Sequence, residues 1–221
     1  MTFVPARSIV VSCQAGPDNP LHGPEPMALM ARAAAAGGAA AIRANGPADV
    51  AAIRAAVDLP ILGIHKLGDP SGVFITPDAA SAVAVVEAGA RAVALDGTLR
   101  PRPDGRSLRE QVAAIRAQVE VELMADVDSL AAGVAAREAG VDIVASTLSG
   151  YTGGGPVPDG PDLELVAALV AALDCPVVAE GRYWTVDDVR AGFAAGAHAI
   201  VVGTAITNPT AITQRFVEAA R

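Results

Sequence analysis

The sequence predicts an α/β fold, a single (β/α)8 barrel, and three observations carry that prediction. Apolar β-type runs recur along the chain at 8–13, 39–44, 60–66, 92–96, 122–127, 143–147, 177–180 and 199–203. Alanine-rich segments with helical spacing alternate with them at 27–36, 48–57, 77–88, 108–119, 129–139, 163–173, 186–195 and 211–220. Buried strands alternating with amphipathic helices form a parallel sheet, and eight such units close it. Finally, no linker-like change of composition divides the 221 residues, so residues 1–221 read as one domain. The structural rival is an open doubly wound sheet. The glycine fingerprint of its dinucleotide-binding version is absent after the first strand.

Taken in order, the first strand ends at Gln14 and opens into a loop, 14–23, rich in proline and glycine. Gly37 stops the first helix, and the second strand ends at Arg43. The third strand closes on Lys66, after which Thr76 is the expected cap of the next helix and Gly89 its stop. The fourth strand ends at Asp96, and Ser107 precedes the helix that follows. Asp126 ends the fifth strand, with Ser129 and Gly140 bounding its helix; Thr147 ends the sixth. The glycine-rich loop 149–161 then gives a candidate lid. Asp162 caps the next helix, and the seventh strand closes on Glu180-Gly181-Arg182. Thr185 caps a helix with Val189 and Phe193 on its apolar side, Gly196 stops it, and Gly203-Thr204 closes the eighth strand.

Composition narrows the partners. The net charge is −8 and no lysine- or arginine-rich run occurs, which argues against nucleic acid and anionic membrane surfaces. An acidic chain can still bind an anionic metabolite where a few cations converge. Cys13 and Cys175 make neither a metal-type spacing nor a disulfide framework, as expected of a reducing cytoplasm. The apolar runs are too short and interrupted for a membrane span. Met1 to Arg7 holds a proline and no long apolar stretch, unlike a signal peptide.

Polar groups that close apolar strands are costly unless they face a wet, functional mouth. Here several strands end that way, at the end of a barrel where chemistry collects. Lys66 shares its strand face with Ile64 and Leu62, Asp126 with Met124, and Glu180 with Val178. Lys66 near Arg43 would hold its proton loosely and could act as a base, or could be a rim lysine with a solvated head. Glu180 could carry a proton near neutral pH, or pair with Arg182, Arg43 or Lys66. Gly181 and Gly203 let backbone N–H groups approach an anion, so the turns after strands seven and eight either bind a phosphate or are two ordinary tight strand-to-helix turns. His22, His65 and His198 are scattered and form no metal-binding spacing, so no metal is expected. His65 is expected on the strand face opposite Lys66. Asp96 and Asp126 lack imidazole partners.

These residues resemble those of the bacterial N-acylglucosamine-6-phosphate 2-epimerases. The resemblance runs from about Val10 to Arg215. It is carried by Val11-Ser12-Cys13-Gln14-Ala15, Ile42-Arg43-Ala44-Asn45, Gly63-Ile64-His65-Lys66, Leu123-Met124-Ala125-Asp126, Thr147-Leu148-Ser149-Gly150-Tyr151-Thr152, Ala179-Glu180-Gly181-Arg182 and Val202-Gly203-Thr204-Ala205-Ile206-Thr207. It implies a barrel that interconverts N-acetylmannosamine 6-phosphate and N-acetylglucosamine 6-phosphate without a cofactor, as a cytoplasmic homodimer in amino-sugar and sialic acid catabolism. It further implies Lys66 and Glu180 as catalytic, Gln14, Arg43 and Asp126 as substrate-binding, and Gly181, Arg182, Gly203 and Thr204 around the phosphate. Asn208 stands where members of that family often carry an arginine. The alternatives are another phosphate-binding barrel enzyme, a synthase or a Schiff-base aldolase on Lys66, and a non-catalytic sugar-phosphate sensor.

Overall fold

The structure, a computed structural model, describes residues 2–153 and 157–221. Eight parallel strands close in sequence order: β1 (Ser8–Cys13), β2 (Ala41–Asn45), β3 (Ile61–Ile64), β4 (Ala92–Asp96), β5 (Glu122–Asp126), β6 (Ile143–Ala145), β7 (Val177–Glu180) and β8 (Ala199–Val202). Closure is made by β8 against β1, with Ile9 opposite Ile200 and Val11 opposite Val202. The helices between strands are α1 (Pro24–Ala36), α2 (Gly46–Ala56), α3 (Ala79–Glu87), α4 (Leu108–Arg116), α5 (Leu130–Ala139), α6 (Leu163–Ala172) and α7 (Val186–Ala194). A four-residue helix, α8 (Thr204–Thr207), and α9 (Pro209–Ala219) follow β8.

Alternation along each strand separates two cores. Val10, Ala41, Leu62, Ala92, Met124, Ile143, Val178 and Ala199 fill the barrel. Ile42, Ile61, Val93, Leu123 and Val144 point outward against Met27, Ile53, Val85, Ile115 and Leu169 of the helices. Because side chains alternate with period two, the inward series continues to Arg43, Ile64, Asp126 and Glu180 at the carboxyl ends. The opposite end is closed by Val4, while the Phe3 N–H donates to Glu122 Oε2 at 2.5 Å. His198 Nε2 lies 3.1 Å from the Val4 carbonyl, a contact far from the strand ends that carry the charged groups.

Ser107, Ser129, Asp162 and Thr185 cap their helices through side-chain oxygens, as their positions predict. Thr76 does not: Asp78 caps α3 in a capping box with Ser81. Thr76 instead sits in the left-handed region at φ 48° and is buried. Its hydroxyl donates to the Ala94 carbonyl at 2.6 Å and accepts the His65 N–H at 3.1 Å. The third strand is also shorter than its apolar run. It ends at Ile64, and Lys66 lies beyond it in an antiparallel bridge to Ile75. The candidate lid 149–161 is only partly visible, since 154–156 lie outside the described residues.

Candidate active site

A cavity of about 810 Å³ opens at the carboxyl ends of the strands. Of the residues singled out in the sequence, Gln14, Lys66, Glu180, Gly181, Arg182, Gly203 and Thr204 line it. Arg43 and Asp126 lie beneath its floor, both fully buried.

The floor is one hydrogen-bonded unit. Arg43 makes a two-pronged pair with Asp126, Nη1 to Oδ1 at 3.1 Å and Nη2 to Oδ2 at 2.5 Å. The same Nη1 reaches Glu180 Oε2 at 2.5 Å. Planar guanidinium suits this arrangement, because its fixed fork serves two acceptors at once. Thr147 joins the ring, its Oγ1 2.6 Å from Asp126 Oδ1 and 3.2 Å from Glu180 Oε2. One guanidinium between two carboxylates leaves one negative charge in excess. Either Lys66 supplies the balancing charge or Glu180 takes a proton.

The electrostatics of the pair run in that sense. Burial pushes the Glu180 carboxyl up to about 7, and the nearby charge of Asp126 adds to this, while Arg43 and Lys66 oppose it. Lys66 is shifted below the ordinary range of a lysine, first by burial and then by the Arg43 guanidinium, with Glu180 and Asp126 opposing. The residue is exposed along the rim, so cavity water moderates that depression. Its ammonium lies 6.0 Å from the centre of the Phe74 ring. At neutral pH the lysine and the glutamate are therefore closer in proton affinity than in water.

Gln14 donates from Nε2 to Ser12 Oγ at 2.7 Å, and its buried Oε1 has no partner among the described residues. This leaves an acceptor on the cavity wall. Gly181 and Arg182 both take positive φ, 109° and 61°, and turn the chain sharply after β7. The Arg182 guanidinium donates to the carbonyls of Gly160 and Ser149, at 2.7 and 2.5 Å, and stacks 5.4 Å from the Tyr151 ring. In this conformation it braces the loop after β6 while still lining the cavity. At Gly203 a side chain would press on Ser12, its Cβ only 3.2 Å from that of the serine. Asn208 caps α9 by accepting the Ala211 N–H, and meets Asn19 Nδ2 at 3.4 Å.

Asp96 is buried elsewhere. It accepts from the Thr98 hydroxyl at 2.6 Å and pairs with Arg100 at 2.7 Å, bracing the loop after β4. His65 is half-buried, with Nδ1 unpartnered among the described residues. Sequence reasoning left Ser12, Asn45 and Trp184 without roles, yet all three line the cavity. Strand parity could have found two of them, since position 12 precedes Gln14 by two and position 45 follows Arg43 by two.

Comparison with known proteins bears on the family and the fold. The profile of the family described as "Putative N-acetylmannosamine-6-phosphate epimerase" matches residues 27–221. A relative from Cutibacterium acnes, described as a "Putative N-acetylmannosamine-6-phosphate 2-epimerase", is 51% identical over 218 residues, covering 98% of this chain and 95% of the relative. The solved structure of the N-acetylmannosamine-6-phosphate 2-epimerase from Clostridium perfringens superposes with a TM-score of 0.93 at 39% identity, covering 98% of this chain and 94% of that one. Thiamine phosphate pyrophosphorylase from Pyrococcus furiosus is 20% identical with a TM-score of 0.59, covering 93% of this chain and 89% of that one, and shares the fold alone.

Proposed function

Because this chain belongs to the N-acetylmannosamine-6-phosphate epimerase family, we propose that it interconverts N-acetylmannosamine 6-phosphate and N-acetylglucosamine 6-phosphate by removing and returning the C2 proton. Inversion at C2 leaves the oxidation state of the sugar unchanged, and removal and return of one proton is enough to achieve it. In the open-chain sugar the C1 aldehyde acidifies that proton, but it remains a weak acid. A base must take it and donors must meet the charge that spreads to the C1 oxygen.

Lys66 takes and returns the C2 proton. Glu180, poised near neutrality, exchanges a proton with the sugar oxygen or acts from the opposite face. Asp126 anchors Arg43, and Arg43 in turn holds Glu180 from below and adds to burial in loosening the Lys66 proton. Gln14 offers its free Oε1 to the acetamido N–H or a hydroxyl. The phosphate rests against Gly181, Arg182, Gly203 and Thr204, and that remote contact aligns C2 with the lysine. The observation that carries this reading is that Lys66 and Glu180 face one cavity above the buried Arg43.

The same reading makes the chain one folding domain and a cytoplasmic homodimer. α9 supports the dimer: none of its residues is buried. Purified protein with N-acetylmannosamine 6-phosphate should form N-acetylglucosamine 6-phosphate, and Lys66→Met should not. If the wild type converts neither the phosphorylated nor the free sugar, the reading is wrong.

A further inference from the structure

Thr147 completes the polar ring at the cavity floor, and the proton transfers above leave it without a part. Its Oγ1 lies 2.6 Å from Asp126 Oδ1 and 3.2 Å from Glu180 Oε2. Arg43 Nη1 bridges the same two oxygens at 3.1 and 2.5 Å. That nitrogen has two protons and serves both acceptors. The threonine hydroxyl has one and serves a single acceptor.

We propose that Thr147 is a positioning residue: it gives its one hydroxyl proton to Asp126 and turns its oxygen lone pair to Glu180, which keeps Glu180 as the carboxyl that carries the exchangeable proton. The distances assign the direction, since Asp126 is the nearer acceptor by more than half an ångström. Asp126 is also the deeper carboxylate, fully buried and held by both Arg43 nitrogens, whereas the Glu180 side chain is 13% exposed, to the cavity.

Counting bonds gives the consequence. With Glu180 protonated, its O–H donates to Thr147 and Thr147 donates to Asp126, so two bonds form. With Glu180 ionised, the single hydroxyl proton makes one, and an acceptor is left facing an acceptor. Arg43 Nη1 donates to the same Glu180 oxygen and favours the ionised form; against that pull, Thr147 contributes this difference to the protonated one. A hydroxyl that donated to Glu180 across the 3.2 Å contact would instead lower the proton affinity of that carboxyl, at the expense of Asp126. The charged groups facing Glu180 are Arg43 from β2, Asp126 from β5 and Lys66 from beyond β3; all three keep their places when Thr147 is altered, and Asp126 alone loses a bond, the one from the hydroxyl.

The inference rests on the epimerase reading for its meaning, because a proton kept on Glu180 is one ready for the sugar oxygen. Its test does not need turnover. Infrared titration of the protonated-carboxyl stretch, assigned to Glu180 by its loss in Glu180→Gln, reads the group directly. In Thr147→Val the midpoint should fall by about one pH unit, the worth of one net hydrogen bond. Thr147→Ser should keep the wild-type midpoint, and Thr147→Ala replaces the valine variant if that one does not fold. The Glu180-dependent limb of the pH profile for C2 proton exchange should move with it. A midpoint that stays or rises without the hydroxyl overturns the proposal. A wild type that shows this infrared behaviour but exchanges no C2 proton overturns the epimerase reading instead.

Discussion

Asn45 Oδ1 accepts the backbone N–H of Lys66 at 2.9 Å. Asn45 occupies the N-cap of α2, where an asparagine side chain usually bonds the helix, and here it makes no such bond. It has been diverted to the segment beyond β3, where the sheet ladder no longer holds the chain. That segment carries Lys66.

Asn45→Ala should therefore cost catalysis more than stability. Loss of one hydrogen bond that orients the base should lower kcat by roughly tenfold, with a smaller change in KM. The helix loses no cap bond, so the urea midpoint should move little. Steady-state kinetics beside urea denaturation check this, and a loss confined to KM would contradict it.

The pH dependence of stability should carry the signature of Glu180. The group titrates near 4.5 when unperturbed and about 7 in the folded protein. Between those values the folded protein keeps a proton that the unfolded chain has lost. Stability from this group is thus present below pH 4.5 and falls as pH rises through about 7. Glu180→Gln should flatten that part of the curve of unfolding free energy against pH. An unchanged slope in the variant would show that the carboxyl is not shifted upward.

Much of this site could be read from strand parity. Lys66, Asp126 and Glu180 share faces with Ile64, Met124 and Val178, and those three apolar residues do lie inside the barrel. Parity gives direction but not depth. Nothing local in Ile42-Arg43-Ala44 says that the guanidinium is drawn under the floor, because its two carboxylate partners lie 83 and 137 residues away. The turn at Arg182 was equally visible, but its bonds to Gly160 and Ser149 depend on how another loop folds over it. The apolar run 60–66 overshoots the carboxyl end of the third strand by two residues, since Lys66 pairs with Ile75 in an isolated antiparallel bridge and not with the sheet. The helix Thr204–Thr207 is too short for any apolar periodicity to announce it.

The outer face of α9 makes a separate prediction. Phe216 is 75% exposed and Val217 46%, on a helix that buries none of its residues against the barrel. A large aromatic side chain left in water is better satisfied against a second copy of the chain. Light scattering should give the mass of a dimer for the wild type, and Phe216→Glu should shift it toward the monomer. A wild type that is monomeric at micromolar concentration would remove the dimer from the account.

The most direct measurement is proton NMR of the protein with N-acetylmannosamine 6-phosphate in D2O. The account predicts N-acetylglucosamine 6-phosphate with deuterium at C2, and no exchange with Lys66→Met. Full C2 exchange in a folded Lys66→Met variant would contradict the assignment of the base, and no exchange with the wild type would contradict the reaction itself.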